Sequence, residues 1–513
     1  MLAAVACGDD LPSETQGEGT GDSGDPSSSG ASTDAPADSS TGIDPDDGSS
    51  GSSGELPPLE LEVEAFTYPN QPMVIDLAFS APDLDLTIAH ATDPGVRSGP
   101  QLGQPEQTWA RVRGLAPQTS HELQWEAMAP DGRSASGSIT VDTEDPLPGF
   151  RPSFTIEGSG EGYGGYVMFD LLALTPDAPA SLFMVDTEGT TRWHIGRMDG
   201  VIGPAAVFAG VKVRDDGSLL FIRDYTVFVI DEMGTEQLAL GSIELGLPGL
   251  HHDVIELPSG NFLALSYTFR DIDYPDIGTT FVAGDLIVEI DPAGAVVWEW
   301  DAFDHLDPQR RRAGFEELIF DLETVQNAQD WTHGNGLVYD EASGTILYST
   351  RHQDWLILID HATGDVQWRL GEEGDFTLTA GSWQYHQHSP QWQDDGTLVV
   401  YDNGLGNPDL ADPLETSRAV RYAVDTGAMT AAQVWEDGAE DFMAPIAGDV
   451  DRLPDGSLLI TDSSIDMGIG MIHARVREVD EDAPADPTWS FTTEIGTFIY
   501  RCVSSLRLPG ETR

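Results

Sequence analysis

Two short motifs alternate through the last two thirds of this 513-residue chain, and their alternation is what most restricts its fold. The first is an apolar run, a turn with Asp-Gly or Ser-Gly, and a second apolar run, as in VKVRDDGSLLFI from Val211 and VDRLPDGSLLITD from Val450. The second is an apolar run ending in Asp, a short glycine-containing turn and usually a tryptophan, as in IVEIDPAGAVVW to Trp298. Runs of this kind around glycine turns predict β-hairpins.

Six copies of the second motif occur, and each follows a copy of the hairpin motif at a spacing of roughly 40 to 70 residues, which is typical of four-stranded propeller blades. We therefore predict an all-β fold whose C-terminal part, residues 147–513, is a six-bladed β-propeller. A parallel sheet with crossover helices is disfavoured, because a sustained apolar period of 3.6 residues is almost absent. The segment expected to be helical is Asp307 to Asn327, an insertion placed to cover the rim.

Residues 1–57 contain no lysine, arginine or aromatic side chain and are rich in Asp, Ser, Gly and Pro, so we expect a disordered acidic tether there. The net charge of the whole chain is -64, and Lys212 is its only lysine. Nucleic acid is excluded as a partner, since binding to phosphates depends on clustered lysine and arginine.

Cys7 ends the run Ala3-Ala4-Val5-Ala6-Cys7, which resembles the lipobox at which bacterial lipoproteins are cut and acylated. We expect the true start to lie upstream, within a signal peptide, and the acidic tether to space the folded part from a membrane. The predicted location is the cell envelope, lipid-anchored at the outer membrane and facing the periplasm or the surface, or alternatively secreted. The membrane is then contacted through the lipid alone.

Alternating strand patterns begin after the tether, and we assign residues 58–146 to a small β-sandwich. The stretch GLAPQTSHELQWEAMAPDGRSASGSITVDT resembles the last strands of a fibronectin type III domain. Such sandwiches have many roles, so the expected role here is positional.

Three histidine motifs each lie shortly upstream of a hairpin turn: His251-His252-Asp253, Trp331-Thr332-His333-Gly334-Asn335 and His386-Gln387-His388. Equivalent positions of successive repeats converge when repeats close into a ring. We therefore expect His252, His333 and His388 to meet at one rim of the propeller. Arg351, at the end of the strand run TILYSTR, is close enough in the repeat to reach the same pocket.

Two kinds of chemistry fit three imidazoles and an arginine. A three-histidine zinc site with Asp253 as a further ligand is one, although an arginine nearby opposes a cation. An anionic substrate is the other, since arginine donates paired hydrogen bonds to a tetrahedral oxyanion while one histidine attacks and another protonates the leaving oxygen.

The segments HHDVIELPSGNFLAL, DWTHGNGLVYD, LYSTRHQDWLILIDHATGDVQWRLG, QHSPQWQDDGTLVVYDNG and GDVDRLPDGSLLITD resemble the bacterial arylsulfate sulfotransferase family over residues 152–513. The resemblance implies a six-bladed propeller that transfers a sulfuryl group from a phenolic sulfate ester to an acceptor phenol. It implies a ping-pong reaction through a sulfohistidine, with no nucleotide sulfate donor, no cofactor and no metal.

By the same resemblance, His388 is the nucleophile, His333 and Arg351 bind the sulfuryl oxygens, and His252 is the acid and then the base. Four further residues are candidates for substrate binding: Asn335, Asp253, which is placed to orient His252, Trp331 and Tyr385. A shift of register that puts His386 or His251 in the role of its neighbour stays open. So do a non-catalytic lipoprotein that binds an anionic ligand, a metal-dependent hydrolase, and pairing of subunits into a homodimer.

Overall fold

The computed structural model describes residues 58–80, 88–92, 101–102, 109–145, 153–158, 164–173, 181–196, 207–321, 324–408, 417–438, 442–466 and 472–511. The predicted tether, Cys7 and the predicted boundary between residues 146 and 147 lie outside these ranges. Among the described helices, none is long and apolar enough to cross a membrane.

Two small sheets form the N-terminal part. One holds β1 (Glu62–Thr67), β2 (Ile75–Ser80) and β5 (Trp109–Val112); the other holds β4 (Gln101–Leu102), β3 (Ile88–Thr92), β6 (Ser120–Met128) and β7 (Ser134–Asp142). Side chains from both sheets share one core, with Leu77 and Phe79 from β2 against Leu123 and Ala127 from β6. Two sheets packed over one core agree with a sandwich, and the fibronectin type III resemblance stays a prediction.

Six further sheets follow, each built mainly of antiparallel hairpins. The first three are β11-β10-β9 with β35 and β36, then β12 to β15, then β16 to β19 with β21 and β20: β9 (Tyr166–Ala173), β10 (Ser181–Asp186), β11 (Thr191–Ile195), β12 (Ala209–Val213), β13 (Leu219–Arg223), β14 (Thr226–Ile230), β15 (Glu236–Gly241), β16 (Leu250–Glu256), β17 (Phe262–Tyr274), β18 (Gly278–Ile290), β19 (Val296–Asp301), β20 (Leu318–Asp321), β21 (Gln326–Asp330).

The other three sheets are β22 to β25, then β27 to β30 with β26 at the edge, then β31 to β34 with β8: β22 (Gly334–Asp340), β23 (Thr345–Thr350), β24 (Trp355–Asp360), β25 (Val366–Leu370), β26 (Thr377–Ala380), β27 (His388–Trp392), β28 (Leu398–Asp402), β29 (Arg418–Asp425), β30 (Thr430–Glu436), β31 (Asp449–Arg452), β32 (Leu458–Asp466), β33 (Ile472–Val479), β34 (Trp489–Thr493), β8 (Phe154–Gly158), β35 (Thr497–Phe498), β36 (Cys502–Ser505). Short helices are α1 (Ser242–Leu245), α2 (Ala302–His305) and the 3-10 turn Arg351–Gln353.

The innermost strands of the six sheets contact one another in a closed ring: β12 contacts β16, and the ring continues through β22, β27, β31 and β36 back to β12. Strands from the beginning and the end of this part of the chain complete the ring. Strand β36, near the C-terminus, pairs with β9, while β8 pairs with β34 at the outer edge of the last sheet. Cys502 is buried in β36, as expected of a small apolar residue at a closing strand. We interpret this ring of six sheets as the six-bladed propeller.

The all-β class predicted from the sequence is confirmed, and the two motifs correspond to different hairpins. The hairpin motif is the inner pair of a sheet, as in β12–β13, and the tryptophan motif is the outer pair, as in β18–β19. The motif tryptophans support this placement, since Trp193, Trp368 and Trp489 are buried between sheets.

The predicted helix at Asp307 to Asn327 is wrong. The described part of that segment has turns followed by the hairpin β20–β21, and the nearest helix, α2, ends at His305. Strand β18 extends well beyond its outer partner β19, and β21 pairs in parallel with the free part of β18. Pairing with an open strand edge satisfies backbone groups that a surface helix would leave exposed. The expectation that this insertion covers the rim agrees with Gly314, which packs against the ring of His352.

Candidate active site

The inner strands carry the predicted histidines where each strand begins. His252 is in β16, His333 immediately precedes β22, and His388 is the first residue of β27. The hairpin pairings of β12, β16, β22 and β27 are each interrupted close to this end. Such bulges redirect side chains, and here they direct side chains of successive sheets to one end of the ring.

The histidines that meet there form a cluster of buried imidazoles, which we call the histidine cluster: His251, His252, His333, His352, His386 and His388. The ring centres of His252 and His333 are 4.9 Å apart, and those of His333 and His352 are 4.5 Å apart. The His333 and His388 motifs are joined directly, because Asn335 Nδ2 donates to the carbonyl of Gln387 at 2.8 Å. The structure thus brings the three predicted motifs together.

Backbone strain is concentrated in the same place. His252, His333, His386 and Ser389 have positive φ angles of 57°, 49°, 55° and 50°. Non-glycine residues rarely adopt this conformation, and where they do the surrounding fold holds them at a cost that is often connected with function.

His388 is held by a rigid amide. Its Nδ1 is 2.7 Å from Asn403 Oδ1, while Asn403 Nδ2 donates to the carbonyls of Ala444 and Ala447, both at 2.7 Å. Since the amide nitrogen is committed to two acceptors, its oxygen must accept from His388 Nδ1–H. The lone pair of a neutral His388 is therefore on Nε2. Burial and the Arg351 guanidinium lower the pKa of His388 well below its usual range, so the imidazole is neutral at pH 7.

His333 and Arg351 each contact a carboxylate side chain. His333 Nδ1 is 2.5 Å from Asp330 Oδ2, and Arg351 Nη1 is 3.4 Å from Glu317 Oε1. Burial lowers the pKa of His333, although the Asp330 carboxylate partly opposes that shift. Arg351 also donates from Nη1 to His352 Nε2 at 2.5 Å, and its Nε has no acceptor among the described residues.

A group of four side chains here has metal-ligand character: Glu317, Asp330, His333 and His352 offer ligand atoms that lie within 4.8 Å of one another. Carboxylate and imidazole ligands suit zinc and similar ions. The guanidinium of Arg351 lies among these groups, in contact with two of them. Arg351 therefore places one positive charge beside the two carboxylates of this group.

The predicted substrate-binding residues have mixed outcomes. Asp253 accepts from Leu337 N at 2.9 Å and pairs with Arg501 at 3.2 Å, so its contacts do not orient His252 as expected. The Oδ1 of Asn335 is buried without a partner in the described part of the chain. Trp331 stacks on Phe303, and its Nε1 donates to the backbone carbonyl of Arg310, so the side chain is part of the core.

Tyr385 is likewise buried, next to His386. His386 itself belongs to the cluster, with Nδ1 3.2 Å from Asp354 Oδ1. Burial, followed by the charge of Arg351, lowers the pKa of His386 to about 4. The two rings therefore have different partners: His386 is next to the Asp354 carboxylate, whereas His388 is hydrogen-bonded to the Asn403 amide.

Sequence reasoning missed several members of the site. Glu317, Asp285 and Arg501 lie outside the sequence motifs. Asp330 and Asn403 lie within the segments DWTHGNGLVYD and QHSPQWQDDGTLVVYDNG, but no role was predicted for them. His352, in the 3-10 turn that follows β23, was also missed, and its side chain is fully buried between the rings of His333 and His386. The available signal was its adjacency to Arg351.

Replacing His386 by glutamine should change how stability depends on pH. The pKa of His386 is about 4 in the folded chain and about 6.5 when unfolded, so the unfolded chain binds the extra proton between these values. The wild type therefore loses up to about 1.4 kcal/mol per pH unit from this group as pH falls through that window. We expect the unfolding temperature of the variant, relative to that of the wild type, to rise as the pH falls from 7 to 5. Parallel curves would contradict the assignment. Carboxyl groups that His386 does not contact cancel in the difference, whereas the pKa of Asp354 rises in the variant because His386 lowers it in the wild type.

The part of the chain that forms the six sheets is similar to known proteins. The family model described as "Arylsulfotransferase (ASST)" matches residues 159–501. The arylsulfate sulfotransferase AssT of Escherichia coli O6:H1 is 26% identical over 354 residues, which cover 55% of this chain and 57% of that protein. AssT of Lelliottia amnigena is 26% identical over 347 residues, with the same coverage. The match spans somewhat more than half the length of these relatives.

Similarities to solved structures are weaker. A protein of unknown function from Bacteroides caccae has 12% identity and a TM-score of 0.38, covering 66% of this chain and 98% of that one. A putative gluconolactonase has 11% identity and a TM-score of 0.30, covering 68% of this chain and 95% of that one. Overlaps this low carry no argument about function.

Proposed function

The chain belongs to the arylsulfotransferase family, and from that membership we propose that it transfers a sulfuryl group from a phenolic sulfate ester to an acceptor phenol. The observation that most supports the proposal is the hydrogen bond between His388 Nδ1 and Asn403 Oδ1, which keeps the Nε2 lone pair available for attack. A metal ligand would use the same tautomer, but the described group of side chains with metal-ligand character is Glu317, Asp330, His333 and His352, and it does not include His388.

In the first half of the proposed reaction, His388 Nε2 attacks the sulfur of the donor. A nitrogen–sulfur bond forms, the bond from sulfur to the phenolic oxygen breaks, and protonated His252 gives its Nε2 proton to the departing oxygen. His252 is then neutral when the acceptor phenol arrives. The product is a sulfohistidine. Negative charge on the sulfuryl oxygens is met by the Arg351 guanidinium, which is fixed before the reaction begins. His333 donates to these oxygens in its protonated form, because Asp330 holds the Nδ1 proton and only Nε2 is left to donate.

In the second half, the acceptor phenol attacks the same sulfur. His252 takes the phenolic proton, the nitrogen–sulfur bond breaks, and its electron pair returns to His388. The two halves share one site, so the proposed kinetics are ping-pong. No cofactor enters either step.

Asn335 and the arginines explain how an acidic chain accepts an anion. Although the net charge of the chain is -64, Arg351 and Arg501 each lower the pKa of His388. Both guanidinium groups are therefore close enough to place positive charge at the histidine cluster. The buried and unpaired Oδ1 of Asn335 is a candidate acceptor for the hydroxyl of an incoming phenol.

The test is release of nitrophenol from 4-nitrophenyl sulfate, measured with and without a second phenol and with and without a chelator. We expect release that rises with added phenol and is unaffected by the chelator, because Arg351 supplies the positive charge. Release that needs no acceptor and disappears with the chelator would identify a metal hydrolase instead. Failure to release nitrophenol from a broad panel of aryl sulfates would leave a binding role.

The further parts of the proposal concern location. We propose that Cys7, which lies outside the described residues, is acylated and that the protein is held at the cell envelope by this lipid. Metabolic labelling with a fatty acid, in wild type and in Cys7→Ser, tests the anchor. Pairing of subunits stays a prediction that a mass measurement in solution can decide.

A further inference from the structure

Two ionisable side chains, Asp285 and His251, lie in series behind the proposed acid–base residue His252. Asp285 Oδ1 makes an electrostatic contact of 3.3 Å with His251 Nε2, which has no aligned hydrogen-bond acceptor among the described residues. His251 Nδ1 is 2.8 Å from His252 Nδ1, within hydrogen-bond distance. We propose that Asp285 acts through His251 to fix the tautomer of His252, making His252 Nε2 the atom that gives and takes the phenolic proton. This inference rests on the proposed function and adds two positioning residues to it.

The direction of the hydrogen bonds follows from Asp285. Its Oδ2 accepts from Gly334 N at 2.6 Å and from the Tyr348 hydroxyl at 2.5 Å, which leaves Oδ1 facing His251. Burial raises the pKa of Asp285, but its contact with His251 and its other donors bring the pKa below the usual value. An ionised carboxylate only accepts, so the proton of His251 belongs on Nε2.

A neutral imidazole carries one N–H, so with its proton on Nε2 His251 can only accept at Nδ1. His252 must therefore donate from its own Nδ1, and its lone pair is left on Nε2. The adjacent residue Asp253 does not compete for this role, because its oxygens are bonded to Leu337 N and paired with Lys212 and Arg501.

Packing keeps the series in place. The ring of His251 stacks on Tyr267, with centres 4.0 Å apart and planes 21° from parallel. His252 is fixed by its positive φ angle and by contact of its ring edge with His333. Two adjacent residues of a regular strand point to opposite faces, so the bulge between His251 and Val254 is what allows both rings to meet.

The series has a defined task when the acceptor phenol reacts. The phenolic O–H bond breaks and the proton goes to His252 Nε2, while the phenolic oxygen forms a bond to sulfur. The positive charge that develops on His252 is stabilised by the lone pair of His251 and, beyond it, by the Asp285 carboxylate. The proton stays on His252 Nε2 until the next donor ester reacts, and it then passes to the departing phenolate.

Asp285→Asn tests the series by reversing it. In this variant the amide oxygen must accept from Gly334 and Tyr348, so the amide NH2 faces His251 Nε2. His251 then carries its proton on Nδ1, and His252 is forced to hold its own on Nε2, where it cannot accept one. The same type of tautomer inversion is known to disable a serine protease triad without altering its geometry.

We expect Asp285→Asn to keep a burst of close to one nitrophenol per protein, because nitrophenolate leaves with little help from an acid. Phenol-dependent turnover should fall by on the order of 10²–10⁴-fold, the usual contribution of a positioned base. Tyr348→Phe removes a neighbouring hydrogen bond to Asp285 without reversing the series, and should lose less than about tenfold by the same measure. Turnover within threefold of wild type in Asp285→Asn, or equal loss of burst and turnover, would overturn the inference.

Two substitutions of His251 decide the matter independently if Asp285→Asn does not fold. Glutamine can donate from Nε2 to Asp285 and accept at Oε1 from His252, which preserves the tautomer, whereas leucine cannot. Turnover of His251→Gln should exceed that of His251→Leu at least about tenfold, in the range of general base effects; equal values would reject the series. A wild type that shows no transfer at all would instead reject the proposed function, so the two failures are distinguishable.

Discussion

His388→Ala is expected to lose both the nitrophenol burst and the phenol-dependent turnover, the largest effect of any single substitution in this chain. The burst reports formation of the nitrogen–sulfur bond, and alanine offers no atom to form it. Loss of a covalent nucleophile typically removes on the order of 10⁴-fold or more of the rate, because the remaining donors cannot supply a second pathway of comparable barrier.

The direct measurement is trapping of the intermediate. Wild type mixed with a phenolic sulfate and no acceptor, then digested under alkaline conditions, should give a peptide containing His388 that carries one sulfuryl group. His386→Gln is the matched control, because His386 is two residues away and equally buried but is next to Asp354 rather than Asn403. That variant should still be modified on His388. A sulfuryl group found on His386, or a normal burst in His388→Ala, would assign the nucleophile elsewhere.

The repeat pattern predicted more of the fold than of the site. Hairpins could be predicted because each is a local feature of about a dozen residues with its own glycine turn, as at Gly217 and Gly456. The strand β36 pairs with β9, more than three hundred residues earlier, and no local pattern announces such a partner. The insertion after His305 was predicted to be a helix because its open partner, the long edge of β18, is not visible in its own sequence.

The histidines of the site could be predicted because they recur at equivalent places in successive repeats. Their orientation could not, since it depends on bulges that add a residue and rotate the next side chain. Tautomers were still less accessible, because Asn403 and Asp285 are fifteen and more residues away from the histidines they hold and neither belongs to a histidine motif. The rings of His251 and His252 are in direct contact, so the proposal above gives the two alternatives different roles in one series.

Replacement of Arg351 by methionine is expected to give the second largest loss. Its guanidinium is buried, contacts Glu317 and His352, and has a free Nε–H, so its charge and its planar donors are held in place before any anion arrives. By analogy with oxyanion sites, removal of one such donor costs about 10²–10³-fold in rate. Arg351→Lys keeps the charge without the planar fork and should recover only part of that loss. The measurement is kcat/KM for the donor ester in the three proteins.

The same substitution carries a signature that loss of packing alone would not produce. Burial is the main cause of the low pKa of His388 and the charge of Arg351 is the next, so removing the guanidinium raises that pKa. Attack requires neutral His388, and activity on the acid side should therefore begin to fall at a higher pH in Arg351→Met than in the wild type. Arg351→Lys, which keeps a positive charge near the ring, should retain the acid limb of the wild type. If all three acid limbs coincide, the electrostatic coupling between Arg351 and His388 is absent, and the loss in Arg351→Met would reflect oxygen binding alone.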